Sequence, residues 1–217
     1  MFRSGVEHSI KKWVCSPDVK PKAEDLAILK DRIEFSSELN SVNADLWFQR
    51  GQLYALMAST TSVWTPDARE LRLETEEQYW KTLTIRPEWT VAWINLLQTR
   101  ILTGQIDRTT LSIIDKVIKK GKWQLDVQRQ LIWIIFGTWD SLSPNRQARV
   151  SKHIAQVMEK DTLFDAAVAS ALNYKKISTL KQFPLSKELR RKLRQTLADE
   201  EKMASLKRHE RATSGYC

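Results

Sequence analysis

The segment Trp47-x-x-Arg50-Gly51-x-x-Tyr54 narrows the folds open to this chain more than any other. Trp47 and Tyr54 are seven residues apart and so share one face of a helix, about two turns from each other. Gly51 sits between them without a side chain and lets a second helix come close. Tyr79, Pro87 and Trp93-x-x-Leu96 follow. A bulky aromatic, a small residue and a second aromatic on one helix, with a proline closing the next, spell a helical hairpin that repeats. Six Gly and six Pro in 217 residues give too little turn punctuation for a many-stranded β protein. Long helices need less of it.

Apolar periodicity and capping residues place the elements. Leu26, Leu29, Ile33 and Leu39 recur at helical spacing over Ala23–Leu39. Asn43 caps a helix over Ala44–Ala58, and Ser59–Pro66 is a polar loop carrying Trp64. Asp67–Ile85 follows, with Leu71, Leu73, Tyr79, Trp80 and Leu83 as its apolar set, and Arg86-Pro87 ends it. Thr90–Thr103 stops at Gly104, and Asp107–Lys120 closes on Lys119-Lys120-Gly121, where the helix dipole favours cations. Leu125–Trp139 is strongly apolar, and Ser143-Pro144 opens Asn145–Glu159. Leu163–Tyr174 is short and alanine-rich. Ser186 caps a basic helix reaching about Leu206, and Arg211–Cys217 is expected to be disordered.

This pattern resembles the tetratricopeptide repeat, whose unit is 34 residues. Trp47 to Pro87 spans 40 residues against about 28 in that pattern, so the first unit carries an insertion in the Ser59–Asp67 loop. Trp93 starts a second unit, and the same period reaches Val127 in a third that lacks the Trp and Gly. The expected fold is all-α: an array of about three irregular antiparallel helical hairpins followed by a basic C-terminal helix. The expected division is residues 1–43 with one helix, 44–160 as the repeat domain, and 161–217 as C-terminal helices with a disordered end.

Composition excludes several classes. Hydrophobic residues at 42% and charged residues at 28% describe a globular chain and not a disordered one. The net charge of +9 is uneven: Lys175–Arg211 carries +7, and the rest only +2. A basic terminal segment suits nucleic acid, an anionic membrane surface or an acidic partner. Cys15 and Cys217 form neither a disulfide framework nor a metal site. The longest apolar run, Leu131–Gly137, is far too short to cross a bilayer, and the charged N-terminus is no secretory signal. The expected location is cytoplasmic or peripheral to an inner membrane.

No catalytic motif stands out. His8, His153 and His209 are scattered, and Glu70, Glu74 and Glu77 share a helix face with Arg69 and Arg72 close by but no histidine. No cofactor or metal is expected. Nine tryptophans read mainly as helix packing, with Trp47, Trp80, Trp93, Trp133 and Trp139 in the core and Trp64, Trp89 and Trp123 at loops or helix starts. Aligning the units on Trp47, Trp93 and Val127 sets Phe48, Gln52, Asn95, Gln98, Gln128 and Arg129, with Ile94 and Ile132, along a concave groove. Asn95 and Arg129 fall where peptide-carboxylate clamps of this repeat class hold an amide and a base. Phe48 and Leu125 take the places of the clamp lysines. On the basic helix, Arg190, Arg191, Lys192 and Arg194 flank an apolar stripe of Leu189, Leu193 and Leu197 and are candidate contacts for an anionic surface. The absence of interleaved aromatics weighs against single-stranded nucleic acid.

Arg86-Pro87-Glu88-Trp89 with Ala92-Trp93, then Gly121-Lys122-Trp123, Val127-Gln128-Arg129 and Trp139-Asp140-Ser141-Leu142-Ser143-Pro144, resemble the VpsP-type accessory proteins of bacterial exopolysaccharide biosynthesis clusters. The likeness covers residues 44–160. It implies a tetratricopeptide-like, non-enzymatic scaffold with protein partners from polysaccharide synthesis or export. Many members begin with a membrane-spanning helix, and this sequence shows none. The alternative expectations are a nucleic-acid-associated regulator acting through the basic helix and an enzyme of polysaccharide modification.

Overall fold

The structure, a computed structural model, describes residues 21–61 and 65–214, with side chains described up to residue 200 and at Lys202. Within these residues every regular element is helical: α1 Ala23–Leu39, α2 Ala44–Thr60, α3 Pro66–Ile85, α4 Thr90–Leu102, α5 Arg108–Lys120, α6 Leu125–Thr138, α7 Pro144–Val157, α8 Asp161–Asn173, α9 Ile177–Lys181 and α10 Lys187–Ser214. A 3₁₀ turn, Trp139–Ser141, follows α6. The expected exposure of Trp64 and the expected state of residues 1–20 lie outside the described residues. So do residues 215–217, although α10 continues past the expected end near Leu206 as far as Ser214.

The helix starts follow from their caps. Asn43 accepts from the Asp45 amide at 3.0 Å, Thr65 from Ala68 at 3.2 Å, Asp107 from Thr110 at 2.9 Å and Ser186 from Leu189 at 3.2 Å. Pro144 occupies the first turn of α7, where a missing N–H costs nothing. The stop at Gly104 is a Schellman turn. Gly104 has φ +77°, its N–H reaches Ile101 O at 2.9 Å, and Gln105 N–H reaches Arg100 O at 2.8 Å. α8 ends the same way with Lys175 in the left-handed position at φ 56°. There the Lys176 and Lys175 amides donate to Ala171 and Leu172 at 2.7 and 3.1 Å.

Two compact units divide the chain, one ending at Val127 and the other starting at Gln128, within the first turn of α6. The division therefore falls inside the expected 44–160 domain. The first helix joins the first unit because Leu26, Leu29 and Ile33 of α1 cluster with Leu53 of α2. In that unit consecutive helices pack in pairs, α1 on α2, α2 on α3, α3 on α4 and α4 on α5. Gly51 is where α3 comes closest: a Cβ there would lie 2.7 Å from the Tyr79 ring.

One corner is used three times. α1, α3 and α5 each end in a C-cap whose amide bonds four residues back: Asn40 to Ser36, Arg86 to Thr82, Gly121 to Val117. A four-residue turn follows each, closed by a bond from its last residue to its first: Asn43 to Asn40, Trp89 to Arg86, Gln124 to Gly121. Asn40 and Arg86 have nearly the same dihedrals, φ −131°, ψ 66° and φ −127°, ψ 77°, whereas Gly121 differs at φ −88°, ψ 6°, so the third corner shares the bonds but not the backbone conformation. At the fourth position of the next helix, Trp47 and Trp93 each send the indole N–H to the carbonyl six residues earlier, Ser41 and Pro87, both at 2.8 Å. The third corner has Gln128 at that position, one residue beyond the expected Val127.

The second unit centres on Leu131, Ile135, Phe136, Ile154, Phe164, Ala167, Leu180 and Phe183, all nearly inaccessible. Phe136, Trp139 and Phe183 form a ring cluster, Phe136 and Phe183 stacking at 5.8 Å. Among the tryptophans expected inside, Trp47 and Trp93 are buried, while Trp80, Trp133 and Trp139 are half-buried; Trp123 is 77% exposed.

Candidate functional site

In the first unit the residues of α1, α2 and α3 shape one polar hollow of about 500 Å³, lined by Lys30, Glu34, Arg50, Tyr54, Asp67, Glu70, Leu71 and Glu74. Helical spacing builds it. Lys30 and Glu34 are one turn apart on α1, Arg50 and Tyr54 one turn apart on α2, and Asp67, Glu70, Leu71 and Glu74 follow one face of α3. The Tyr54 hydroxyl donates to Glu34, and Arg50 reaches both Tyr54 Oη at 3.2 Å and Ser37 Oγ at 3.2 Å. Lys30 pairs with Glu34 at 3.0 Å.

These contacts set the local ionisation. Burial pushes the Tyr54 phenol up to about 12, and its hydrogen bond to Glu34 adds to the rise. Burial alone would raise the Glu34 carboxyl. The bonds from Tyr54 and Lys30 and the charges of Lys30 and Arg50 outweigh it and hold Glu34 below its ordinary value. The hollow is thus one fixed, ionised Glu34 clamped by two cations and a neutral phenol, facing the three carboxylates of α3. Its wall carries four acids against two bases, so it suits a cationic group better than an anionic one.

A second polar cluster lies beneath the surface. Arg100 of α4 donates to Glu76 of α3, to Asp107 at 2.8 Å and to Thr110 at 3.0 Å, and Gln105 donates to the other Glu76 oxygen at 2.8 Å. Arg100 and Glu76 are 6% and 9% exposed, so the cluster ties α3 and α4 to the α4–α5 turn, with Asp107 at its exposed edge. Among the described residues no three His, Cys, Asp or Glu are grouped so as to hold a metal ion. Among them, too, no helix is long and apolar enough to cross a membrane.

The expected groove residues separate. Phe48 is buried, its ring 4.4 Å from Trp89 and 5.6 Å from Tyr79, so it is a packing residue and lines no groove. The α3–α4 corner puts Trp89 over it. Gln52 is half-buried on α2. Asn95 and Gln98 lie on the outer stripe of α4 with the exposed Val91 and Leu102, but the Asn95 amide is used internally, donating to Val91 O at 2.7 Å. In the second unit Gln128 is 1% exposed, its carbonyl oxygen 2.6 Å from His153 Nε2. It is an interior residue, unlike Arg129 beside it, which is exposed. Burial of Phe48 and Gln128 corrects the groove drawn from the repeat alignment.

On α10 the four candidate cations divide. Arg190 donates to the carbonyls of Leu185 and Phe183 at 3.1 and 3.3 Å and holds the preceding turn. Lys192 pairs with Asp161 at 2.6 Å and lies 4.2 Å over the Phe164 ring. Arg191 and Arg194 are exposed. Lys181, Leu185, Arg190, Leu193 and Arg194 border a hollow of about 350 Å³ whose floor is the two buried leucines.

The polar hollow of the first unit escaped the sequence reading, although its parts carried signals. Arg50 and Tyr54 are one turn apart, and the Glu70 and Glu74 face was recognised without a partner. What joins them is the packing of both α1 and α3 on α2, which no local pattern encodes. No protein-family model matches the chain, and neither does any curated protein or solved structure.

Proposed function

We propose that the chain is a non-enzymatic adaptor built on tetratricopeptide-like hairpins, binding protein partners along its helical faces. The observation that carries this is the recurring corner, with the same pair of backbone bonds three times and, at the first two, the same C-cap dihedrals and the same indole-to-carbonyl lock at Trp47 and Trp93. A fold that repeats one corner builds an extended surface of similar helices rather than a single enclosed chamber, and such surfaces bind other proteins. The polar hollow at Glu34, Tyr54 and Glu70 gives that surface a place for a lysine or arginine of a partner.

The resemblance around Arg86–Trp93 and Trp139–Pro144 supplies the setting: a scaffold for components of bacterial exopolysaccharide synthesis or export. Affinity capture of the tagged chain from its native cells, under mild conditions, tests this. Recovery of glycosyltransferases or export proteins is the expected result, and Glu70→Lys with Glu74→Lys should diminish it. Capture that contains no polysaccharide-cluster protein would remove the setting. Nucleic-acid binding through α10 has less support, because Arg190 and Lys192 are occupied within the fold.

A further inference from the structure

The helix α1 carries a row of large exposed apolar residues. Leu26, Leu29, Ile33 and Ser37 face inward and are buried, while Ile28, Phe35 and Leu39 are 51%, 65% and 73% exposed. At 100° per residue the two sets are centred about 145° apart around the helix. Phe35 and Leu39 could have been polar at no cost to the core, and large apolar side chains this exposed mark a contact surface. Val42, 79% exposed, extends the apolar surface into the following turn.

Arg32 completes the row. Ile28, Arg32, Phe35 and Leu39 are separated by four, three and four residues, the spacing of a coiled-coil seam. That spacing reads the same in both directions. An identical helix laid antiparallel therefore meets the row in register: Ile28 against Leu39 of the other copy, and Arg32 against Phe35, each pairing made twice. The Arg32 guanidinium then lies across an aromatic face with Glu38 of the other copy one turn beyond. Glu38 can answer it: its side chain is 69% exposed, and its ion pair with Arg50 is long, at 4.0 Å. A single cation in an apolar seam selects the register in which it finds an anion.

We infer that α1 is a self-association surface, and that two copies of this chain pair through antiparallel α1 helices about a two-fold axis between Arg32 and Phe35. The pairing is isologous and so closes at two copies. One helix from each copy places it in the small-interface class, below about 1,200 Å², and the dimer should be of micromolar strength.

Sedimentation equilibrium of the full chain from about 1 µM to about 1 mM should show a monomer passing into a dimer. Phe35→Asp, at an exposed position that leaves the core intact, should weaken the dimer at least tenfold. Arg32→Glu should weaken it, and Arg32→Glu with Glu38→Arg should restore it. The register is read by cysteine pairs with Cys15 and Cys217 replaced by serine. Ile28→Cys with Leu39→Cys should cross-link between copies, whereas Ile28→Cys alone should not, because two such residues would stand about 16 Å apart along the axis. A monomer at every concentration overturns the inference, whatever else then covers the stripe. So does a dimer indifferent to Phe35→Asp, or cross-linking of Ile28→Cys alone as readily as the pair.

Discussion

Replacing Gly51 by alanine sets two effects of known sign against each other. Alanine in the middle of a helix gains about 1 kcal/mol over glycine from backbone entropy. Against this, the new Cβ would stand 2.7 Å from Tyr79 Cε1 and 2.9 Å from Cδ1. Carbon atoms sit best at about 3.5–4.0 Å, so the overlap is about 1 Å. The obstacle is a rigid ring 1% exposed and backed by Phe48 at 5.6 Å, so relief requires α2 and α3 to separate. Overpacking of this kind costs about 1–3 kcal/mol. Shortening the obstacle separates the two effects. In a Tyr79→Leu background the clash is gone, and Gly51→Ala should stabilise by about 1 kcal/mol from propensity alone. The double-mutant cycle should therefore show a coupling of about 1–3 kcal/mol, measured by urea unfolding followed by circular dichroism. If Gly51→Ala changes stability equally in both backgrounds, within about 0.5 kcal/mol, the close approach of α3 at Gly51 is wrong.

Other consequences are simpler to read. Trp93→Phe keeps one aromatic ring but deletes the bond to Pro87 O and part of a buried ring system, and Trp47→Phe does the same at Ser41; each should cost about 1 kcal/mol for the bond and about 1 kcal/mol or more for the lost packing in urea unfolding, with similar values for the two corners. Arg100→Met leaves Glu76 buried without its cation and should cost about 3–5 kcal/mol, while Arg100→Met with Glu76→Leu should recover most of it. Lys175→Gly relieves a left-handed lysine and should raise stability by about 0.5–1 kcal/mol, detectable as a higher melting temperature. The pH dependence runs in opposite directions at the two ends of the Glu34–Tyr54 pair. The Glu34 contribution is complete above its ordinary value of 4.5 and is lost as pH falls through its lower folded value. The Tyr54 contribution is complete below the ordinary tyrosine value of 10.0 and is lost as pH rises towards about 12. Tyr54→Phe should reduce the alkaline loss between those values and leave the part due to Tyr79, whose phenol burial also pushes up, as followed by circular dichroism.

Local chemistry was legible in the sequence wherever one residue decides the outcome. Asn43, Asp107 and Ser186 announced helix starts, Gly104 a stop, and Gly51 with Tyr79 a close pair of helices. What stayed hidden depends on which face of a helix meets another. Leu73 was expected inside α3 and is 46% exposed, because α3 buries Arg72, Thr75, Glu76, Gln78 and Thr82 instead. Those polar groups are tolerable there because several are satisfied: Thr75 by Leu71 O, Thr82 by Gln78 O and Glu76 by Arg100. An apolar count cannot find such a face. Phe48 and Gln128 were placed along a groove by aligning repeats, but spacings of 46 and 35 residues between equivalent positions show that the units are not interchangeable in length. α9 was missed because five residues carry too little periodicity to stand out.

The thrice-used corner also fixes where the molecule can tolerate change. Consecutive paired helices reverse direction, so the α1–α2 and α3–α4 turns recur at the same end of the rods, each held to four residues. The links in between, residues 61–65 and 103–107, are five residues each, so the expected insertion in the Ser59–Asp67 loop is absent and the greater length of the first hairpin lies in α2 and α3, 17 and 20 residues against 13 and 13 for α4 and α5. An epitope or fluorophore spliced between Thr60 and Pro66 should leave the rods undisturbed, whereas a single residue added between Ile85 and Thr90 should pull the Trp93 indole off its carbonyl.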